Sequence, residues 1–402
     1  MANSILTPTA VTREALRVLH QKLNFVGNIV RDYDSSFAKS GAKIGDSLKI
    51  RLPNQYTVRT GATLDAQDTS ETSVTLQIAT QKGVDVNFTS ADLTLSLDDF
   101  SERILVPAMS SLAASIESDA LSMYKDVYNQ VNNVGMPATF AKVMAARKKL
   151  VDSLAPTNDR SIILNTQDNV DLVDGLKGLF QDSTHIAKQY REGYMGRTGG
   201  FDFMENTLMP SHARGAGDTA YTIDTRTSAM PTTTPNTPIT SATMASGTGA
   251  MPVGEIFTIA NCFRVHPETK VATSELQQFV VTAANAGGAV SVAFSPSIIL
   301  AGPRQNVSIT STSATAALVI AGTASTSHGI SLAFQKEAFA FGTVDLVMPD
   351  GVDFTARRNM DGISMRIVRQ YDINNDKFPC RMDVMYGYKT LRAQLATRIA
   401  NN

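Results

Sequence analysis

Chemically reactive side chains are scarce in this sequence. Its 402 residues include 2 cysteines, 5 histidines and no tryptophan. Cys262 and Cys380 lie far apart and outside any metal-ligand spacing, which argues against both a disulfide framework and a zinc site. The histidines are equally scattered, and each is expected to be solvated or held by a single hydrogen bond. They are His20, His185, His212, His266 and His328.

Catalytic and nucleotide-binding motifs are absent as well. The sequence contains no His-Glu-x-x-His, no Gly-x-Ser-x-Gly, no Gly-x-Gly-x-x-Gly and no Gly-x-x-x-x-Gly-Lys-Ser/Thr. These motifs place zinc ligands, a serine nucleophile, a dinucleotide or a phosphate in a defined local structure. The sequence therefore predicts a protein that is not an enzyme and that has no cofactor or metal ion.

Charge is the next deficit. Charged residues make up 18% of the chain, against roughly 25% in an average globular protein, so much of the surface is expected to meet protein. The formal net charge of −1 argues against binding nucleic acid by phosphate neutralisation. No run of about 18 apolar residues and no leader-like pattern at positions 1–9 occurs. We expect a soluble protein made in a reducing cytoplasm, without membrane contact.

Two glycine- or aspartate-rich motifs leave a ligand-binding alternative open. The stretch 193–200 could cradle a phosphate, but Arg197 stands where a nucleotide loop carries lysine, which favours a surface loop. Asp372, Asn374 and Asp376 imitate the first ligands of a calcium loop. Lys377 replaces the turn glycine of such a loop, which favours a strand-connecting turn.

A third motif, the basic run Arg147-Lys148-Lys149, could contact nucleic acid. Because it lies on a predicted amphipathic helix, a solvated or intersubunit helix face is favoured.

The chain is long enough for two or three packed units. An amphipathic helix is predicted in the first stretch, where apolar residues from Val11 to Leu23 recur at helical spacing. Alternating apolar residues then predict three strands between Lys43 and Phe88. The polar stretch from Pro53 to Ser73 is predicted to be an extended hairpin. We expect this hairpin and the arm to gain their order mainly from neighbouring subunits, since each buries little apolar area alone.

The longest helical pattern runs from about Leu97 to Val131. Its apolar stripe keeps spacings of three and four residues, which predicts a helix roughly 50 Å long at about 1.5 Å per residue. Pro107 is expected to kink or restart it and is a candidate hinge. A helix–strand–helix pattern follows from Phe140 to Phe180.

An almost uncharged insertion separates this part from the end of the chain. Between Thr227 and Gln335 only 6 of 109 residues are charged, and short alternating runs predict a small all-β sandwich or barrel. Strand patterns resume near Val344 and continue to Tyr388. The flanking segments are therefore expected to form one discontinuous body interrupted by the insert.

Several local motifs carry a family resemblance through their order and spacing along nearly the whole chain. These are Thr12-Arg13-Glu14-Ala15-Leu16, Lys43-Ile44-Gly45-Asp46-Ser47-Leu48, Lys82-Gly83-Val84, Leu97-Asp98-Asp99-Phe100, Gly200-Phe201-Asp202, Leu208-Met209-Pro210, Gly254-Glu255-Ile256-Phe257-Thr258-Ile259, Tyr371-Asp372, Asp383-Val384 and Tyr386-Gly387. Together they resemble the major capsid (coat) proteins of tailed bacteriophages, in the short-tailed-phage coat group that carries an inserted β-domain.

The resemblance implies an α+β fold of the Hong Kong 97 type. Its parts would be an N-arm at 1–42, an extended loop with flanking strands at 43–92, a spine helix of the peripheral domain at 93–137, an axial domain at 138–221, an inserted β-domain at 222–335 and a return to the axial and peripheral domains at 336–402. Candidate subunit contacts are Tyr56, Arg59, Leu64, Arg147, Lys148 and Arg197.

The resemblance also implies partners and a location. Identical subunits would form pentamers and hexamers of an icosahedral virion capsid around double-stranded DNA, bound without sequence specificity. A scaffolding protein, a portal and a decoration or cement protein are expected partners, and assembly would occur in the cytoplasm of the bacterial host. An encapsulin-like compartment shell is the main alternative. An adhesin or tail-associated module is a weaker one, because it leaves the long helix unexplained.

Overall fold

The fold is taken from a computed structural model of the chain. The structure describes residues 12–15, 17, 19, 23–31, 47–64, 66–67, 71–88, 106–176, 196–217, 221–224, 238–288, 290–309, 315–360, 363–373 and 377–401.

The helices of the described residues are few and the strands are many. The helices are α1 (Val106–Leu121), α2 (Phe140–Asp152) and α3 (Thr166–Leu176), with short 3₁₀ turns at Val26–Asn28, Ser122–Asp126, Lys336–Ala338 and Ala393–Leu395. The strands before the insert are β1 (Ser47–Arg51), β2 (Ser73–Gln77), β3 (Thr80–Phe88), β4 (Gln130–Asn132), β5 (Arg160–Leu164), β6 (Arg197–Thr198), β7 (Phe201–Glu205) and β8 (Ser211–Ala213). The remaining strands are β9 (Thr222–Asp224), β10 (Ile239–Ser246), β11 (Ile256–Val265), β12 (Ala272–Val281), β13 (Ser291–Ile298), β14 (Val307–Ile309), β15 (Thr315–Ile320), β16 (Ser327–Gln335), β17 (Phe339–Val344), β18 (Phe354–Met360), β19 (Ile363–Arg369), β20 (Phe378–Thr390) and β21 (Ala396–Ala400).

The chain divides into two compact units, each built from three segments. The first comprises Met1–Ile50, Ser73–Leu121 and Phe339–Leu391. The second comprises Arg51–Thr72, Ser122–Ala338 and Arg392–Asn402. Segments distant in sequence therefore complete each unit, and the insert lies inside the second one.

The first unit is organised around the long strand β20. β20 pairs with β17, β19 and β3, all antiparallel, and β18 extends the sheet beyond β19. The predicted strands around Val84, Ser364 and Arg381 are confirmed. The carboxylate of Asp119 on α1 contacts two strands of this unit. Asp119 accepts hydrogen bonds from Lys82 Nζ at 2.7 Å and from the Tyr386 hydroxyl at 2.6 Å.

The predicted long helix is shorter at its C-terminal end than the apolar spacing indicated. α1 ends at Leu121, a 3₁₀ turn follows, and Val131 lies in strand β4. The apolar stripe continues because Met123, Val127 and Val131 are buried in non-helical backbone. Burial alone thus imitated the helical period, and the extension to Val131 was wrong. Residues 97–105, the predicted first part, lie outside the described residues.

The N-terminal segment, defined as the described residues between 12 and 31, packs on its own chain, which corrects for that part of the arm the expectation that neighbours order it. Thr12, Ala15 and Leu19 are helical and fully buried, as the helical spacing predicted. Glu117 of α1 accepts the backbone N–H groups of Phe25 and of Val26, the second at 3.2 Å. The physical reason for the correction is that the segment carries enough apolar side chains to form part of a core.

The second unit contains a mixed seven-stranded sheet. Its strands follow the order β4-β21-β16-β5-β7-β6, and β8 also pairs with β16. The β5–β7 and β4–β21 pairs are parallel, and the others are antiparallel. The predicted helix–strand–helix corresponds to α2, β5 and α3, and α2 packs against β21.

The insert folds into a closed barrel. β12, β13, β10, β9, β15 and β11 pair in that order, and β11 also pairs with β12, which closes a ring of six antiparallel strands. Tyr221, Phe257, Phe279 and Phe294 are among the buried side chains of its core. The predicted runs from Ile256 to Ile320 are all strands, so the barrel alternative is confirmed over the sandwich.

The polar stretch between β1 and β2 is not a two-stranded hairpin in its described residues. β1 and β2 pair with each other, but the backbone has no strand from Leu52 to Leu64. Gln67 bridges the two sides instead: its Oε1 accepts from Thr57 N–H at 2.9 Å, and its Nε2 donates to Thr57 O at 2.6 Å. Hydrogen bonds between polar side chains and the backbone, such as these, compete with the backbone ladder of a hairpin.

Candidate assembly surfaces

The extended segment, defined as residues 52–67, presents large apolar side chains to solvent. Tyr56, Val58 and Leu64 are 55%, 95% and 83% exposed. A single exposed apolar residue is ordinary, but three on one stretch without strand pairing are a signature of a contact surface. Two of the predicted subunit contacts, Tyr56 and Leu64, therefore lie on a surface that a neighbour could cover.

Arg59 shapes the tip of this segment. Its guanidinium donates to the carbonyl oxygens of Gly61 and Thr63, the second at 2.9 Å, and the side chain is exposed. Gly61 has a φ of +101°, a conformation that favours glycine. The predicted contact residue Arg59 thus holds a turn and remains accessible.

Arg147 and Lys148 of α2 are engaged within their own chain. A Cβ placed on Gly200 would lie 3.6 Å from Arg147 Nε, so the guanidinium covers that glycine. Lys148 Nζ forms an ion pair with Glu275 of β12 and lies 3.9 Å from Asp152. Hydrogen bonding to Glu275 raises the pKa of Lys148. The basic run is thus joined to the barrel.

Arg197 lies at the β6–β7 turn and keeps an exposed side chain. Its Nε is 3.8 Å from an Asp202 carboxylate oxygen, and Arg197 pairs with Asp202 in the strand register. Gly199 and Gly200 make the turn with φ values of +61° and +86°. In the described residues 196–200 the glycine-rich stretch is thus a hairpin turn, which favours the surface-loop interpretation.

Pro107 is the second residue of α1. The Ser111 hydroxyl donates to the Pro107 carbonyl at 3.2 Å. Proline suits the first turn of a helix because the missing N–H would have no intrahelical partner. Residues 89–105, which precede α1, lie outside the described part. The predicted kink or restart of the helix at Pro107 therefore stays a prediction.

The calcium-loop alternative has little geometric support in the described residues. Asp372 and Lys377 face each other across an isolated antiparallel bridge, as expected for a strand-connecting turn. Residues 374–376 lie outside the described part. Among the described residues no cluster of three His, Cys, Asp or Glu could hold a metal ion.

A buried polar seam joins the barrel to the sheet of the second unit. His212 and His328 are register partners in β8 and β16, and their rings meet edge to face at 5.5 Å. Arg398, with no exposed area, donates to Gly254 O at 2.9 Å. The seam comprises Tyr124, His212, Arg214, Glu255, His328 and Arg398.

Burial dominates the titration of the seam. It lowers the pKa of His212 to about 3 and that of His328 to about 4, assisted in both by the charge of Arg398. It also lowers the pKa of Arg398 to about 10 and raises the pKa of Glu255. Arg214 Nε lies 3.6 Å from Glu255, which also accepts the Gly215 N–H at 2.9 Å. Both histidines are therefore neutral at pH 7.

This seam was not predicted from the sequence. The histidines were expected to be isolated, whereas β8 and β16 bring His212 and His328 into contact. Their separation in sequence left no spacing signal, and only the motif that begins at Gly254-Glu255 marked one side of the seam. Further contacts fix the barrel: Gln278 Oε1 accepts the Gln130 N–H at 2.8 Å and a hydrogen bond from Lys149 Nζ at 3.0 Å.

No helix in the described part of the chain combines the length and the hydropathy needed to cross a membrane. This finding concerns helices alone.

A protein-family model matches nearly the whole chain. The sequence model of the family described as "P22 coat protein - gene protein 5" matches residues 11–397. No curated protein matches the chain.

The chain is also similar to chains of several solved structures. A chain of Mycobacterium phage Che8 is 13% identical, with a TM-score of 0.49, and the alignment covers 94% of this chain and 90% of that one. The capsid of the cyanophage P-SCSP1u gives 10% identity, a TM-score of 0.42 and coverage of 89% and 84%. A virus-like particle from Pyrococcus furiosus gives 6% identity, a TM-score of 0.38 and coverage of 96% of both chains.

The family match spans both compact units, including the barrel and the strands that return after it. The chain therefore belongs to the P22 coat protein family and is a structural, non-enzymatic subunit of a phage capsid.

Proposed function

We propose that this chain assembles as pentamers and hexamers into the icosahedral capsid of a tailed phage that encloses double-stranded DNA. Family membership implies identical subunits in a capsid. The observation that carries the finer proposal is the extended segment, whose Val58 and Leu64 are 95% and 83% exposed in the isolated chain.

The exposed side chains give assembly a driving force. Covering apolar area contributes about 25 cal/mol per Å², while ordering a segment costs conformational entropy. Hydrogen bonds between Thr57 and Gln67 already order part of the extended segment in the isolated subunit. The entropy cost of ordering this segment during assembly is therefore smaller. Repetition by symmetry multiplies each modest contact over the shell. Tyr56, Arg59 and Leu64 are the contacts that we propose on this segment, with Arg197 as a further exposed one.

The net charge of the subunit bears on how the capsid would interact with the enclosed DNA. The net charge of −1 gives the subunit no electrostatic excess with which to condense a polyanion. We therefore propose that DNA is enclosed without sequence-specific binding. A scaffolding protein, a portal and a decoration protein belong to the same proposal, as does assembly in the cytoplasm of the bacterial host.

The candidate hinge is Pro107. Rigid-body movement of subunits needs a few positions that absorb the change in backbone angles, and Pro107 lies in the first turn of α1. Pro107→Ala restores an N–H and removes the ring at this position. It should leave subunit stability nearly unchanged while altering the expansion of precursor shells, followed by electron microscopy. Unchanged expansion of the precursor shells would contradict the proposal that Pro107 is a hinge.

Negative-stain electron microscopy of the recombinant protein tests the main proposal. Closed shells, tubes or capsomers are expected on concentration, and a monodisperse monomer at high concentration would contradict assembly. Nucleic-acid detection on particles from infected cells then separates a DNA capsid from a compartment shell of the same fold. Protein cargo without DNA in those particles would favour the compartment shell.

A further inference from the structure

The buried polar seam of the second unit carries more positive than negative charge. Its two guanidinium groups belong to Arg214 and Arg398, which are 6% and 0% exposed, and its one carboxylate belongs to Glu255, which is 2% exposed. The two histidines of the seam are neutral at pH 7, because burial lowers their pKa values to about 3 and about 4. Two cations against one carboxylate leave at least one buried positive charge in excess.

Arg398 is the member of the seam whose charge and hydrogen-bond donors are least compensated. Its Nη2 donates to Gly254 O at 2.9 Å, but its Nε and Nη1 have no hydrogen-bond partner among the described residues. Its guanidinium carbon lies 5.7 Å from the centre of the Tyr124 ring. Of the described carboxylates, that of Glu255 acts on the charge of Arg398, and it also lies 3.6 Å from Arg214 Nε. Arg398 therefore shares a single carboxylate with a second cation.

Other unpartnered nitrogen atoms lie in the same buried cluster. Both ring nitrogens of His328, Nε2 of His212 and Nε of Arg214 have no hydrogen-bond partner in the described part of the chain. The two imidazole rings meet at 5.5 Å, and the Tyr124 hydroxyl lies 3.4 Å from His212 Nδ1. The charge of Arg398 lowers the pKa of both histidines, so both lie within its electrostatic reach. The unpartnered groups thus form one connected set.

A small anion satisfies both deficits of the seam. Burying a charge without compensation is unfavourable, and so is burying an N–H group without an acceptor. A buried water molecule would accept hydrogen bonds from these groups but would leave the charge unbalanced. An anion accepts the same hydrogen bonds and also balances the charge. Because no member of the seam is more than 6% exposed, the anion has to be small.

We propose that the seam binds one chloride ion, held by the unpartnered N–H groups of Arg398 and by an imidazole N–H of His328. The ion compensates the excess positive charge and becomes part of the folded second unit. Chloride then stabilises the attachment of the barrel to the sheet of this unit. This site is separate from the proposed assembly surfaces, so its test does not depend on particle formation.

Urea unfolding of dissociated subunits in two salts tests the proposal. Sodium chloride replaces sodium gluconate at constant ionic strength, since gluconate is too bulky for a buried site and screening of surface charge stays the same. Raising chloride from about 1 mM to about 300 mM should lower the equilibrium constant for unfolding at least about tenfold, because the ion binds only the folded chain. A change of less than about twofold would overturn the proposal.

Equilibrium dialysis against ³⁶Cl-labelled chloride measures the stoichiometry directly. We expect one chloride ion bound per folded chain and none bound per chain in urea. Folded chains that bind no chloride would show that the seam is satisfied by water, and the anion assignment would be wrong.

Three variants of the seam separate a built site from a general salt effect. Arg398→Met should abolish the chloride dependence, and His328→Phe should weaken chloride binding about twofold or more, through the loss of one hydrogen bond. Glu255→Gln should strengthen binding at least about threefold, because it removes the negative charge that competes with the ion. The matched control Arg304→Met removes an exposed cation of the same unit and should leave the chloride dependence unchanged.

The opposite effects of the variants keep the test decisive. If Arg398→Met does not fold, the stronger binding expected of Glu255→Gln and the dialysis of the unaltered chain still decide. The same chloride dependence in all four variants would indicate an action of chloride on exposed surface and would overturn the site.

Discussion

Two segments that were expected to depend on neighbours behave differently. In the N-terminal segment, Phe25, Val26 and Ile29 have no exposed area in the isolated chain. In the extended segment, Val58 and Leu64 are almost fully exposed. Both segments precede α1 in the sequence, and both lack regular sheet structure over most of their described length. The comparison teaches that a segment outside the main sheets is not necessarily a segment that awaits a partner.

The difference follows from apolar content and from buried hydrogen-bond acceptors. The N-terminal segment brings several large side chains to one surface, and Phe25 meets Phe339 edge to face at 5.4 Å. Glu117 satisfies its backbone donors, and Val30 pairs with β17 through hydrogen bonds of 3.2 and 3.0 Å. The extended segment is held by hydrogen bonds such as those between Thr57 and Gln67. Its Val58 and Leu64 side chains remain exposed.

The largest expected effect is from Phe25→Ala. Truncating a fully buried aromatic ring costs about 3–5 kcal/mol, because it leaves a cavity beside Phe339. Urea unfolding of dissociated subunits should show this loss. Val58→Ala is the matched change in the extended segment and should alter unfolding by less than about 0.5 kcal/mol. Equal losses of stability from the two substitutions would show that the two segments contribute alike to the folded subunit.

The next effect is from Glu117→Gln. The charged acceptor of the Phe25 and Val26 N–H groups becomes an amide with one oxygen, and hydrogen bonds to charged groups are worth about 1.5–3 kcal/mol. We expect a loss of about 1–3 kcal/mol in the same urea experiment. Glu71→Gln, which removes an exposed pair with Arg51 at 3.1 Å, should cost no more than about 1 kcal/mol. A larger loss for Glu71→Gln would show that the Arg51–Glu71 pair, which flanks the extended segment, contributes to stability as a buried pair does.

Acid should destabilise the subunit without acting directly on the extended segment, which has no histidine. The folded pKa values of His212 and His328, about 3 and 4, lie below the unfolded value of about 6.5. The unfolded chain therefore binds more protons below that value. Stability should fall from pH 6.5 down to about 4, by at most about 1.4 kcal/mol per pH unit for each histidine.

Several charged groups of the seam modify that slope. Arg398, Arg214 and Lys125 oppose histidine protonation, whereas Glu255, whose pKa is raised, takes up a proton in the folded state and partly offsets the loss. Urea midpoints measured between pH 7 and 5 test the sign. His328→Phe keeps the ring contact with His212 and removes two nitrogens that have no hydrogen-bond partner. It should reduce the slope. Stability that rises toward pH 5 in both proteins would contradict the assignment.

The smallest effect on the subunit, and the largest contrast with assembly, is expected from Val58→Asp and Leu64→Asp. Both side chains are exposed, so unfolding of the dissociated subunit should change by less than about 0.5 kcal/mol. Burying a carboxylate in an apolar contact is costly, and particle yield in sedimentation should fall severalfold. Normal particle yield with both substitutions would exclude the extended segment as an interface.

Local pattern predicted the strands and the barrel well, because alternation and turn residues report the burial of each short run directly. Local pattern failed where buried residues with helical spacing lie in non-helical backbone. Met123, Val127 and Val131 keep helical spacing although the backbone there is a 3₁₀ turn and a strand. It also failed where contacts join distant segments, as with Lys148 and Glu275 or with the two histidines of the seam. Such contacts leave no trace in residue spacing, because only the tertiary structure brings these residues together.

The closed ring of the barrel allows many copies of the subunit to lie close together. Each of its six strands has hydrogen-bonded neighbours on both sides, and in the described residues the additional strand β14 spans only Val307–Ile309. Exposed strand edges are templates for uncontrolled backbone pairing between molecules. A module without long edges can be held beside many identical copies, at the local concentration of a shell, with little risk of strand exchange. Recognition between such modules then depends on side chains, which substitution can alter while the ring stays intact.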